Sequence, residues 1–79
     1  MDERTNTMNN QLPRTAVTRS LKRAGLYTYK TAQRGDLVKV IVHEIEKQKA
    51  LQVFHVQGFR VPFIWNNDGI VEIHVGMAK

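Results

Sequence analysis

The chain has 79 residues, 42% hydrophobic and 24% charged, with no cysteine and a formal net charge of +5. That length holds one domain with a thin core. Its composition excludes a disordered or membrane-spanning chain, and the missing cysteine excludes a disulfide framework, a thiolate zinc site and a cysteine nucleophile. The charge is lopsided: residues 1 to 39 carry 8 Lys and Arg against 3 Asp and Glu, residues 40 to 79 carry 4 of each, and 8 − 3 + 4 − 4 accounts for the whole +5.

Residues 1 to 12 begin MDERTNTMNNQ, a polar stretch without hydrophobic period, and are expected to be a mobile tail to a single domain over residues 13 to 79. This start lacks the apolar run of a signal peptide, so a cytoplasmic location is expected. From Pro13 the pattern changes. Val17, Leu21 and Ala24 recur at i, i+4 and i+7, which predicts a helix over about 13 to 25 with Arg19, Lys22 and Arg23 on its outer side. Proline suits the first turn and Gly25 the left-handed residue beyond the end, after which Leu26 is expected to dock on a sheet.

The remainder reads as strands. Tyr27 to Ala32 and the β-branched run Leu37 to Ile45 predict a hairpin around a glycine turn over Gln33 to Asp36. A polar loop over Glu46 to Lys49 leads to an expected strand over Leu51 to Gln57. Phe59 to Trp65 comes next, where Phe59, Val61, Phe63 and Trp65 alternate with Arg60, Pro62 and Ile64. Asn66 to Gly69 is a strong turn signal before a last strand over Ile70 to Val75. Pro62 places its strand at an edge or a bulge. The expected fold class is α+β: one N-terminal amphipathic helix followed by a twisted antiparallel four- or five-stranded meander, with closure into a small barrel as one form. In the second strand Leu37, Ile41 and Ile45 share one face and Val38, Val40 and Val42 the other, so both faces ask for burial and a homodimer is expected.

From Arg4 to Arg34 there are seven basic residues and no acid. A cluster of one sign attracts phosphate, so Arg14, Arg19, Lys22, Arg23, Lys30, Arg34 and Lys39 are candidate nucleic-acid contacts, against the plain alternative of a solvated helix face. Tyr27 and Tyr29 lie in the same basic half and are added as candidate stacking residues, whereas Phe59, Phe63 and Trp65 are expected inside the core. His43, His55 and His74 fall on three different strands of the reading with different parities, so no metal site is expected. No nucleophile elbow, glycine-rich phosphate loop or zinc signature is present, the one serine is Ser20, and neither an enzyme nor a cofactor is expected. Arg34-Gly35-Asp36 reads as turn chemistry rather than an adhesion motif.

The stretch Arg34-Gly35-Asp36-Leu37-Val38-Lys39-Val40 resembles the glycine-aspartate lead into a strand of small barrels, SH3-like nucleic-acid-binding ones among them. The order of helix and strands from Leu21-Lys22-Arg23-Ala24-Gly25-Leu26 is similar to that of HicA-type toxins, whose glycine-serine-histidine motif this chain lacks, and no functional residue is carried over. The expected function is a small basic non-enzymatic regulator that binds nucleic acid, DNA before RNA. The alternative is an interaction module or inhibitor, of the kind a phage or mobile element encodes, acting on an acidic host protein.

Overall fold

The computed structural model describes residues 12–27 and 29–77. Apart from Leu12, which is buried, the expected tail lies outside them. Helix α1, Arg14–Arg23, is built as its punctuation requires. Pro13 precedes it in extended conformation and offers no side-chain cap. A strand residue caps it instead: the Arg14 backbone N–H donates to Gln33 Oε1 at 2.9 Å, while Gln33 Nε2 donates to the Leu12 carbonyl, also at 2.9 Å. At the other end Gly25 takes φ +86°, Gly25 N–H donates to the Lys22 carbonyl and Leu26 N–H to that of Leu21, each at 3.0 Å. These are the two bonds of a Schellman cap, and the buried pair Leu21 and Leu26 completes it. Ser20, the one serine, donates its hydroxyl to the Ala16 carbonyl within the helix.

Strands β1 (Tyr29–Arg34) and β2 (Leu37–His43) form a hairpin around Gly35 and Asp36. Beyond β2 the structure departs from the all-strand expectation. Residues 47 to 56, read as a loop and a strand, are a helix, α2 (Lys47–Val56), entered through the short 3-10 turn Glu44–Glu46. Lys47, Gln48, Lys49, Ala50 and Leu51 are good helix formers, and Ala50 and Phe54, at i and i+4, are its fully buried residues. That spacing prevails over the short alternation of Leu51, Val53 and His55. Strands β3 (Phe59–Asn67) and β4 (Ile70–Met77) form the second hairpin, whose turn residues Asp68 and Gly69 both have positive φ, as a type I′ turn demands.

The fold is α+β: two helices and one four-stranded antiparallel sheet, open rather than closed into a barrel. The strand order is β1-β2-β4-β3, so the sheet is not a sequential meander. Because α2 intervenes, β3 goes to the far edge and β4 returns to pair with β2. Both helices lie on one face, where Val38, Val40, Val42, Val71, Ile73 and Val75 meet Val17, Leu21, Ala50 and Phe54. Each of these side chains larger than alanine contributes roughly 1.5–3 kcal/mol by leaving water.

The two halves repeat with a period of 33 residues. Arg14–Arg23 becomes Lys47–Val56, Gly25 becomes Gly58, and the strand beginning at Leu37 becomes the one beginning at Ile70. Core positions obey the same shift, Val17 to Ala50, Leu21 to Phe54 and Val40 to Ile73, all fully buried. The Leu21 and Leu26 pair at the first cap becomes Phe54 and Phe59, with ring centroids 6.4 Å apart. Pairing between the central strands keeps it too: Val38 faces Val75, Val42 faces Val71, and Val40 faces Ile73 at the centre. A pseudo-two-fold axis therefore passes through the Val40 and Ile73 pair, relating two α-β-β units within one chain.

Candidate nucleic-acid interface

In an antiparallel sheet directly opposed residues share a face, so the register states which side chains lie opposite the helices. One row across the open face is Lys30, Ile41, Glu72 and Trp65; the next is Ala32, Lys39, His74 and Phe63. Towards the β1-β2 turn lie Arg34 and Leu37, and Arg60 faces Gly76 on the far side. A Cβ on Gly76 would stand 2.7 Å from Leu37 Cδ2 and 2.9 Å from Arg60 Nη2, so the absent side chain leaves the notch in which these two meet. Arg60 is steadied by an Nε–H bond of 3.2 Å to the Met77 carbonyl.

Four cations, Lys30, Arg34, Lys39 and Arg60, thus share this face with one acid, Glu72. Glu72 accepts a hydrogen bond of 2.7 Å from His74 Nε2. That bond holds its carboxyl below the ordinary range; partial burial works against it, and the charges of Lys39 and Arg34 add to it. His74 in turn meets the edge of Phe63, ring centroids 5.0 Å apart. Phe63 and Trp65 are 49% and 52% exposed, and Ile70, opposite Asn67, 41%.

The two outer rings also depart from expectation. Phe63 and Trp65 were expected in the core with Phe59, on the assumption of unbroken alternation. The register slips between Arg60 and Phe63, around Pro62, on an edge strand. An extra residue there inverts parity, so Phe59 and Val61 pack on the core while Phe63 and Trp65 face outward. Pro62 is the sequence signal of that slip. Arg60 was not among the expected contacts, because it lies in the half of the chain whose charges balance.

The expected basic cluster divides between two opposite layers. Lys30, Arg34 and Lys39 lie on the open sheet face. Arg14, Arg19, Lys22 and Arg23 are exposed on α1, behind the other face. Arg14, Arg19 and Lys22 line a shallow depression of about 320 Å³ with Thr15 and Thr18. Arg23 borders another of about 320 Å³, between the helices, with Lys49, Gln52 and Val56. Tyr27 is 70% exposed in the link after α1, whereas Tyr29 is half-buried and packs against the core. His43 ends β2 and His55 sits on α2, apart from His74. Ile45, grouped by parity with Leu37 and Ile41 on one face of the strand, lies beyond the end of β2 in the 3-10 turn and is 92% exposed. Among the described residues no helix is long and apolar enough to cross a membrane.

Comparison with family models, with curated proteins and with solved structures returns no match. Any functional reading therefore rests on the chemistry of this face.

Proposed function

We propose that the protein binds nucleic acid, without catalysing a reaction, through the open face of its sheet. The observation that carries the reading is the composition of that face: four cations to one hydrogen-bonded acid, with two half-exposed aromatic rings among them. Cations attract phosphate and release its counterions, and exposed rings offer bases a surface to stack on. Gly76 aids both, since a side chain there would displace Leu37 and Arg60 and roughen the platform. The regulatory role and the preference for DNA over RNA remain expectations of the sequence, attached to this surface.

One observation favours a second occupant. Leu37 and Ile41 lie within the charged rows and Ile70 beyond them on the same face, so the face could also be closed by a second copy of the chain, the homodimer expected from the sequence. An acidic protein would meet the same cations. Fluorescence anisotropy with labelled single-stranded and duplex oligonucleotides, at about 50 and 200 mM salt, separates these occupants. Four phosphate contacts imply a logarithmic salt slope of about −2.8 on a single strand, a loss of about fiftyfold over that range. Absence of binding at 50 mM overturns the proposal, and a mass that doubles with concentration would assign the face to the dimer.

A further inference from the structure

The internal repeat allows each open-face position to be compared with its counterpart 33 residues on. The core keeps its chemistry across the pseudo-two-fold axis, whereas the open face does not. Lys30 corresponds to Phe63, Ala32 to Trp65, Arg34 to Asn67 and Lys39 to Glu72. The half made of β1 and β2 bears three cations, no acid and no Phe or Trp on this face. The half made of β3 and β4 bears both rings, the one acid and only Arg60 in cation. A symmetric scaffold thus presents an asymmetric surface, positive along one side and aromatic along the other.

We infer that the ligand is a single-stranded nucleic acid running along the strands, with its phosphates over β1 and β2 and successive bases stacked on Phe63 and Trp65. The inference rests on the nucleic-acid reading above and adds the form of the ligand and its orientation. A duplex hides its bases in its own stack and exposes phosphates, so it gives outward-facing rings nothing to hold, whereas a single strand offers both groups at once. The rings lie two residues apart on one face of β3, roughly 6.7 Å, about twice the 3.4 Å rise of a stacked strand, so an extended strand sets one base on each. Lys39 shares the row of Phe63 and Lys30 that of Trp65. Lys39 is two strands from its ring, about 10 Å, a distance its flexible stem shortens.

Trp65 is the one tryptophan of the chain, so its emission reports directly on the platform. The test titrates the full chain with single-stranded DNA, single-stranded RNA, a duplex of the same sequence, and heparin, which has charge but no bases. Both single strands are expected to quench Trp65 and to bind at least tenfold more tightly than the duplex, with heparin binding without quenching. Phe63→Ala and Trp65→Ala each weaken single-strand binding by about 5- to 150-fold and leave heparin binding alone. Both side chains are half exposed, and circular dichroism of the variants confirms that they fold. Lys39→Ala weakens heparin and single strands alike. Equal binding of duplex and single strand, or single-strand binding that neither quenches Trp65 nor responds to Phe63→Ala, overturns this inference while leaving the nucleic-acid reading intact. Failure of every oligonucleotide at low salt removes both. A preference for one of the two single strands identifies the ligand as DNA or RNA.

Discussion

Replacing Gln33 with alanine should show how much of the fold depends on a single side chain reaching from β1 to α1. Pro13 supplies no cap, so the first orphan N–H of α1, on Arg14, is satisfied by Gln33 Oε1 at 2.9 Å, and Gln33 Nε2 holds the Leu12 carbonyl at 2.9 Å. Loss of an N-cap costs about 0.5–2 kcal/mol, and this one is exposed, so water recovers part of it and the lower half of the range applies. The bond to Leu12 is partly buried, beside a side chain that is 1% exposed, and adds about 1 kcal/mol. The sum is about 1.5–2 kcal/mol. For a domain of this size 1 kcal/mol moves Tm by roughly 4–8 °C, so Gln33→Ala should melt about 6–16 °C below the parent. Thermal melts monitored by far-ultraviolet circular dichroism measure it, with Gln33→Glu as the control that keeps the acceptor for Arg14 and loses the donor to Leu12. A fall of less than 2 °C in Gln33→Ala would refute the idea that Gln33 joins α1 to the sheet.

The geometry makes three further outcomes testable. Ile73→Ala, at the pseudo-two-fold axis and fully buried, should cost about 2–5 kcal/mol in a urea titration, a large share of the stability of so small a domain; a cost under 1 kcal/mol would contradict the packing. Gly25→Ala and Gly58→Ala should each cost about 1–2 kcal/mol by the same assay. Both glycines have positive φ and room for a Cβ, so the penalty is conformational, and unequal costs would argue against equivalent caps. Glu72 titrates below its ordinary value, first because of the His74 hydrogen bond. A depressed folded pKa stabilises the protein above the unfolded value near 4.5 and ceases to do so as pH falls through the folded pKa. The stability advantage of the parent over Glu72→Gln should therefore shrink from pH 6 to pH 3, and a constant difference would contradict the assigned bond.

Helix α1 and both hairpin turns were legible because their signals are local: Val17 and Leu21 at helical spacing, Gly25 beyond the end, Gly35 and Gly69 where the chain reverses. Helix α2 was hidden by residues 51 to 56, whose short apolar alternation fits a strand as well as a helix. That single misreading carried the sheet order with it, since the position of β3 depends on what crosses before it. The repeat was obscured for another reason. Across the paired segments from 14 to 44, identity survives at Gly25 and Gly58, Val38 and Val71, and Val42 and Val75, while core pairs such as Leu21 and Phe54 or Val40 and Ile73 keep only their apolar character. The site was half legible. Charge pointed to Lys30, Arg34 and Lys39, but the face they occupy, and the rings they share it with, depend on register and on the bulge at Pro62. No count of charges reveals that the helix cations lie on the opposite layer.

That separation makes the central claim directly testable, because two variants of equal charge strip opposite sides of the molecule. One carries Lys30→Ala, Arg34→Ala and Lys39→Ala on the sheet; the other carries Arg14→Ala, Arg19→Ala and Arg23→Ala on α1. Binding of each to a labelled single strand is measured across a salt series. The sheet variant should lose about two units of logarithmic salt slope and most of its affinity at about 100 mM salt, while the helix variant stays within about threefold of the parent. Loss of binding in the helix variant with the sheet variant unchanged would place the nucleic acid on α1 and contradict the account.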